Sequence, residues 1–257
     1  MLLAFDLDNT VLTATGDLPD RIRTAIATAR DAGWRLAVLT GRPLPSARPH
    51  VEALGLLPGP YAVNHGAQVF GPDGAVLRHR RLHGACLQAL LSSPLRPDGV
   101  QYRCVVGDRL LVEDPHDPCW SWARTVHRRV ERIDVAAIDI ADKVVYAPSA
   151  DAPGMLRRLH DAWPLTSYHW DDGLVEVTAD DADKGSALAR IAAAMGVPQD
   201  RTVAFGDGVN DVSMLAWAGH GVAVGPDPAP DLLAVAQERI DAPERGGVAD
   251  WLHARLA

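Results

Sequence analysis

At 257 residues the chain can hold one large domain, or a core with a second, smaller one; 47% hydrophobic and 23% charged residues are ordinary for a soluble globular protein. A formal charge of -8 argues against general affinity for nucleic acid or anionic membranes, so a positive field that receives an anionic ligand has to be local. No run approaches about 18 uninterrupted apolar residues, and the N-terminus lacks the basic region, apolar segment and cleavage site of a secretory signal. Cys86, Cys104 and Cys119 show neither CxxC spacing nor an even count, which suggests reduced thiols of a cytoplasmic protein.

The apolar run Met1-Leu2-Leu3-Ala4-Phe5 predicts a buried strand, and Asp6-Leu7-Asp8-Asn9-Thr10 stands where it ends. Ligands bind at the carboxyl ends of strands in an open parallel sheet, and two carboxylates there repel unless a cation or a shared proton relieves them. Asp, Asn and Thr are also turn formers, so a plain turn accounts for the stretch when it is taken alone. Asp17-Leu18-Pro19-Asp20 reads as a helix start, and the run after it puts Ile22, Ala25, Ile26 and Ala29 on one face, with Gly33 at its end. Trp34–Leu39 is a second strand, which makes a βαβ unit and predicts a parallel sheet. It runs into Thr40-Gly41-Arg42-Pro43, where a hydroxyl and backbone N–H groups can meet phosphate oxygens.

Tyr61–Phe70 predicts two short strands around a polar turn holding Asn64 and His65, followed by a turn at Gly71–Gly74 and another strand. From about residue 80 to 180 the character changes to a separate α/β unit. Its predicted helices lie near Ala85–Leu91, Trp120–Val130 and Pro153–Ala162, with a Pro/Gly-rich break at Ser92–Gly99. Its predicted strands lie near Gln101–Val106, Arg109–Glu113, Lys143–Ala147, Leu165–Trp170 and Leu174–Val177. Arg78-His79-Arg80-Arg81, Arg128-Arg129 and Arg157-Arg158 are expected on solvated faces. Asp183-Lys184-Gly185-Ser186 opens a helix that Asp183 caps, with Lys184 at its N-terminus. A further buried strand, Arg201–Phe205, ends in Gly206-Asp207-Gly208-Val209-Asn210-Asp211, acidic chemistry again at a strand tip.

These four pieces, Asp6–Thr10, Leu39–Arg42, Asp183–Gly185 and Gly206–Asp211, together resemble the signature of haloacid dehalogenase (HAD) superfamily phosphatases, in order and in their flanking strands. The resemblance implies an α/β fold: a Rossmann-like parallel-sheet core of residues 1–79 and 180–257, with an inserted smaller α/β cap of residues 80–179. A large α/β cap after the second motif is similar to those of the Cof-like and sucrose-phosphatase-like groups. It implies that Asp6 is the nucleophile and forms an aspartyl-phosphate, and that Asp8 handles the leaving-group and water protons. Thr40 and the Gly41 amide would hold phosphate oxygens, and Lys184 would pair with Asp6 and the phosphoryl group. Mg²⁺ would sit on Asp6, the Asp8 backbone carbonyl and Asp207, with Asp211 a ligand directly or through water. Asn210 would support the phosphate or its loop, while Arg42, Asn64, His65 and Glu176 are the expected cap or rim contacts. Asn9 replaces the family's usual glycine, and Asn tolerates left-handed backbone well enough to keep the turn.

The implied function is Mg²⁺-dependent hydrolysis of a small phosphomonoester, a sugar phosphate or related metabolite, by a monomer or small homo-oligomer with no nucleic-acid or membrane partner. The alternatives are a nucleotide monophosphate phosphatase, a sugar phosphomutase, or a sugar-phosphate-binding regulator on a retired scaffold, against which intact Asp6, Asp8, Lys184 and Asp207 count.

Overall fold

A computed structural model describes residues 1–92, 100–126 and 128–256. In chain order, the elements are β1 (Leu2–Phe5), α1 (Asp20–Asp31), β2 (Arg35–Leu39), α2 (Leu44–Ala53), β3 (Tyr61–Val63), β4 (Gln68–Phe70), β5 (Val76–His79) and β6 (Leu82–His83). There follow α3 (Gly84–Leu91), β7 (Tyr102–Val106), β8 (Arg109–Val112), α4 (Ser121–Thr125), β9 (Arg129–Arg132), β10 (Ile140–Ala141), β11 (Lys143–Tyr146), α5 (Ala152–Ala162), β12 (Leu165–His169) and β13 (Val175–Ala179). The chain closes with α6 (Lys184–Ala194), β14 (Thr202–Gly206), α7 (Val212–Trp217), β15 (His220–Val224), α8 (Pro230–Val235), β16 (Glu238–Ile240) and α9 (Gly247–Leu256). By contacts the chain divides into two compact units: Met1–Gly41, Ala47–Arg78 and Asp183–Ala257 in the first, Arg42–Ser46 and His79–Ala182 in the second.

In the first unit a sheet runs β16-β15-β14-β1-β2-β3-β4-β5. The strands from β16 to β3 pair in parallel, and β4 turns back antiparallel on β3. β1 lies at the centre, and all four of its residues are buried, as expected of a strand covered by helices on both faces. On one face Leu2 and Ala4 pack with Leu188 and Ile191 of α6 and with Met214 and Leu215 of α7. On the other, Phe5 stacks on Phe205 with centroids 4.9 Å apart, and Phe205 meets Trp251 of α9 edge-on. Burying each of these rings contributes up to about 3 kcal/mol, spent on the two strands that deliver Asp6 and Asp207. α1 buries Ile22, Ala25, Ile26 and Ala29, the face its spacing predicts.

The chain leaves β1 toward β2 on one side and reaches β14 on the other, so the strand order reverses at β1. That is a topological switch point, where the loops part and leave a crevice. The register puts Phe5 opposite Val38 and Phe205, so Asp6, Thr40 and Asp207 emerge at the same sheet edge.

The second unit holds a sheet in the order β12-β13-β11-β7-β8-β9, antiparallel except for β8–β9, and a small β10–β6 pair. One face is apolar: Tyr102, Cys104, Val144, Tyr146, Val175 and Val177 pack with Leu87 and Leu90 of α3 and Met155 and Leu159 of α5. On the other face Lys143 forms a buried ion pair with Glu176.

Two expectations need correction. The helix expected near Trp120–Val130 stops at Thr125, and Arg129–Arg132 is instead β9, because the exposed edge of β8 offers that segment a full set of backbone partners. Arg78 and Arg128 are buried rather than solvated, each donating to a backbone carbonyl, Gly66 O and Arg109 O respectively. The Pro/Gly-rich break at 92–99 lies, apart from Ser92, outside the described residues. The three cysteines are free, and no described helix is long and apolar enough to cross a membrane.

Asp142 ties the second unit together. Its carboxylate accepts from the Gly107 N–H at 2.7 Å and pairs with His79 Nε2 at 2.7 Å. Burial alone would raise its pKa, but these hydrogen bonds and the His79 and Arg81 charges outweigh burial and hold it below the ordinary value. A depressed folded-state pKa stabilises above the unfolded value, near 4, and the contribution fades as pH falls through the folded one. Asp142→Asn should therefore cost about 1–3 kcal/mol at pH 7, with the gap to wild type closing below about pH 4. Urea unfolding at both pH values checks this; a gap unchanged in acid would remove the ionised carboxylate from the account.

Candidate active site

β1 hands its last backbone pairing to Asp6, whose N–H donates to Phe205 O at 3.0 Å. The chain then turns sharply: the N–H groups of Thr10, Val11 and Leu12 all donate to Leu7 O, at 3.3, 3.1 and 2.8 Å. Asn9 adopts φ 53°, the left-handed backbone expected at the position where the family has glycine. The Thr10 hydroxyl donates to Asp207 Oδ1 at 3.2 Å, joining the first acidic tip to the second.

Lys184 arrives from across the sheet. It is the first residue of α6, whose N-cap Asp183 accepts the Ser186 N–H at 2.9 Å. Its ammonium is fully buried and donates to Asp6 Oδ1 and to Asp211 Oδ1, both at 2.6 Å. The other Asp211 oxygen accepts the N–H groups of Asp207 at 3.2 Å and Gly208 at 3.1 Å. Asp211 thus shapes the 206–211 loop and anchors Lys184, a partnership that the spacing of the motifs did not reveal. The fit is tight: a Cβ on Gly206 would sit 2.4 Å from Asp211 Cγ.

Thr40 is fully buried at the tip of β2, where its N–H donates to Ala62 O at 3.0 Å. Asn64 and His65 are 2% and 1% exposed, interior residues of the first unit. Asn210 is buried beside His65, and its amide Nδ2 lies 3.3 Å from His65 Nδ1. Gly41 lies against the same imidazole. Arg42 and Glu176 belong to the second unit, where Glu176 pairs with Lys143. Sequence reasoning put Arg78 on a solvated face and gave Ser186 no role beyond the start of a helix. The Arg78 guanidinium donates to Gly66 O at 3.1 Å and Ser186 Oγ at 3.0 Å, bracing the turn after β3 against the start of α6. Local pattern carries no sign of that contact.

The charges do not balance. Asp6, Asp207 and Asp211 each bring an oxygen within 4.8 Å of the others, against the single Lys184 ammonium. Burial, with the Asp211 and Asp207 charges, pushes the Asp6 carboxyl up against the pull of Lys184. Burial and the Asp211 charge push Asp207 up to about 6, despite Lys184 and the hydrogen bonds of Thr10 and Asn9. Lys184 itself is raised: burial would lower its pKa, but Asp211 and Asp6 prevail and keep it charged. When all three are ionised, two negative charges stand in excess of Lys184, and an all-oxygen donor set of that kind fits a hard divalent cation. The Asp8 side chain is outside that carboxylate group.

The model of the haloacid dehalogenase-like hydrolase family matches residues 3–252. The chain belongs to that family, and it is accordingly an enzyme, a hydrolase of the HAD phosphatase type. It is similar to the pyridoxal phosphate phosphatase YbhA of Escherichia coli (strain K12), 28% identical over 87% of this chain and 87% of that protein. It is also similar to the putative phosphatase YxeH of Bacillus subtilis (strain 168), 24% identical over 98% of this chain and 97% of the relative. In fold it matches the HAD subclass IIB sugar phosphatase BT4131 with a TM-score of 0.84 at 20% identity, covering 100% of this chain and 99% of that one.

Proposed function

We propose that the protein hydrolyses a small phosphomonoester, a sugar phosphate or related metabolite, with Mg²⁺ and through an aspartyl-phosphate on Asp6. The observation that carries this reading is the buried Lys184 bridging Asp6 and Asp211, beside a third carboxylate on Asp207. A lysine is not buried on two carboxylates at a sheet's switch point merely for stability, because a well-packed apolar replacement would serve that purpose as well. The relatives add weight, since YbhA is named for pyridoxal phosphate and the fold neighbour BT4131 for a sugar phosphate.

In this reading Asp6 attacks phosphorus in line while the bond to the leaving oxygen breaks, and Asp8 gives that oxygen its proton. Lys184 and the Thr40 and Gly41 donors take up charge on the phosphoryl oxygens. Asp8 then removes a proton from the water that attacks the aspartyl-phosphate, which frees Asp6 and inorganic phosphate. Asp6, Asp207 and the Asp8 backbone carbonyl would hold Mg²⁺, with Asp211, whose oxygens already have donors, supporting the loop. When bound, the ion supplies positive charge to the phosphoryl oxygens and relieves the carboxylate repulsion.

Phosphate release from a panel of sugar phosphates, pyridoxal phosphate and nucleoside monophosphates tests the proposal. EDTA should lower release by about a hundredfold or more, and excess Mg²⁺ should restore it. Release indifferent to EDTA would remove the metal from the mechanism. A protein inert on the whole panel with Mg²⁺ present would remove hydrolysis, and isomer interconversion without net release would identify a mutase.

A further inference from the structure

We infer that His65 is a positioning residue for the phosphoryl group, its imidazole fixing the Thr40–Gly41 strand tip against Asn210 of the 206–211 loop; the inference rests on the proposed phosphatase reaction. The imidazole lies flush against the Gly41 Cα: a Cβ built there would stand 2.4 Å from His65 Cε1 and 2.9 Å from Nδ1. No other residue type fits at position 41 while the ring stays in place. The His65 N–H donates to Thr40 O at 3.0 Å, so the backbone of the same residue holds the strand tip that its ring presses.

Asn210 Nδ2 is 3.3 Å from His65 Nδ1. An amide nitrogen can only donate, so this contact is a hydrogen bond in the tautomer that leaves Nδ1 free to accept. One buried imidazole therefore touches both the strand tip that would hold phosphate and the 206–211 loop that would help hold the metal in the proposed mechanism.

The local backbone carries a cost for this placement. Asn64 and His65 are both left-handed, at φ 49° and 59°, a conformation that non-glycine residues avoid. The Asn64 carbonyl Oδ1 is buried with no hydrogen-bond partner among the described residues. Gly66 is locked against the start of α6, where a Cβ would meet Asp183 O at 2.3 Å. Strain that a fold retains beside a reactive site marks geometry that matters there. The turn of residues 64–66 thus contacts the tip of β2, the first turn of α6 that carries Lys184, and the 206–211 loop.

The test separates ring from backbone. His65→Gly keeps the left-handed turn and removes the ring, whereas His65→Asn keeps the turn and an oxygen able to accept from Asn210. Affinity for inorganic phosphate by calorimetry with Mg²⁺ present, kcat and KM on p-nitrophenyl phosphate, and the thermal midpoint are measured for each. His65→Gly should weaken phosphate binding and lower kcat/KM by roughly tenfold to a hundredfold, with kcat falling along with a raised KM. His65→Asn should recover most of both losses. Gly41→Ala should mimic His65→Gly in the wild-type background, yet add little in the His65→Gly background, where the ring's space is vacant. That comparison decides the matter even if one variant folds poorly, because the double variant relieves the clash.

Wild-type phosphate affinity and kcat/KM in His65→Gly, or full additivity with Gly41→Ala, would overturn the inference. Absence of turnover in the wild type would strike the proposed reaction instead, and the phosphate affinities would still report on His65.

Discussion

Asp6→Asn should lower turnover by about 10⁴-fold or more while the protein stays folded. An amide oxygen is far less nucleophilic than a carboxylate oxygen, so the covalent step has no substitute on the same side chain. The exchange is nearly isosteric, and Asn Oδ1 can still accept from Lys184, which now donates to Asp6 Oδ1 at 2.6 Å. It also removes one of the mutually repelling carboxylates of the group formed by Asp6, Asp207 and Asp211. The thermal midpoint should therefore hold or rise slightly, the signature of a residue kept for chemistry at some expense in stability. Single-turnover phosphate release and a calorimetric scan check both halves. Retention of more than a few per cent of activity would refute Asp6 as nucleophile. A phosphate adduct on the Asp6 peptide of the quenched wild type would locate the covalent step directly.

Lys184→Met is the second large effect, and it strikes stability as well as rate. The ammonium is fully buried, and removing it leaves the buried Asp6 and Asp211 carboxylates facing each other without their cation. Breaking such a pair from one side costs about 3–5 kcal/mol, which for a chain of this length lowers the melting midpoint by roughly 10 °C. Turnover should fall at least as far as in an oxyanion-donor deletion, about 10²–10³-fold. Adding Asp211→Asn should return part of the stability but not the activity, because it relieves repulsion without restoring a charge at the phosphoryl group. If Lys184→Met melts with the wild type, the lysine is not electrostatically committed as its geometry indicates. If the double variant is no more stable than the single, Asp211 is not its partner.

Much of the catalytic half of the fold was legible because its signals are local. Four residues buried on both faces announce β1, a 3.6-residue period places Ile22, Ala25, Ile26 and Ala29 inward, and Asp183 before Lys184 marks a capped helix start. Asn9 could be placed through the resemblance, because it stands where the family has glycine and Asn tolerates the left-handed φ it adopts. The second unit was harder to read. Arg129–Arg132 has no strong alternation, and it is a strand because β8 lies beside it with unfilled hydrogen bonds.

The sequence by itself determined that acidic and hydroxyl-bearing tips follow buried strands, and the order in which they come. Only the tertiary structure decided which groups become each other's partners. Lys184 meets Asp6 across 178 residues and Asp211 across 27, and Asn210 reaches His65 across 145. Periodicity and propensity act over a few residues, so they carry no record of such partners. Arg78, placed with solvent-facing arginines by its charged neighbours, is buried because Gly66 O and Ser186 Oγ converge on it from separate elements. Register and packing bring those groups within reach, and burial then makes each partnership obligatory, since a desolvated charge or donor left alone costs more than its pairing returns in water.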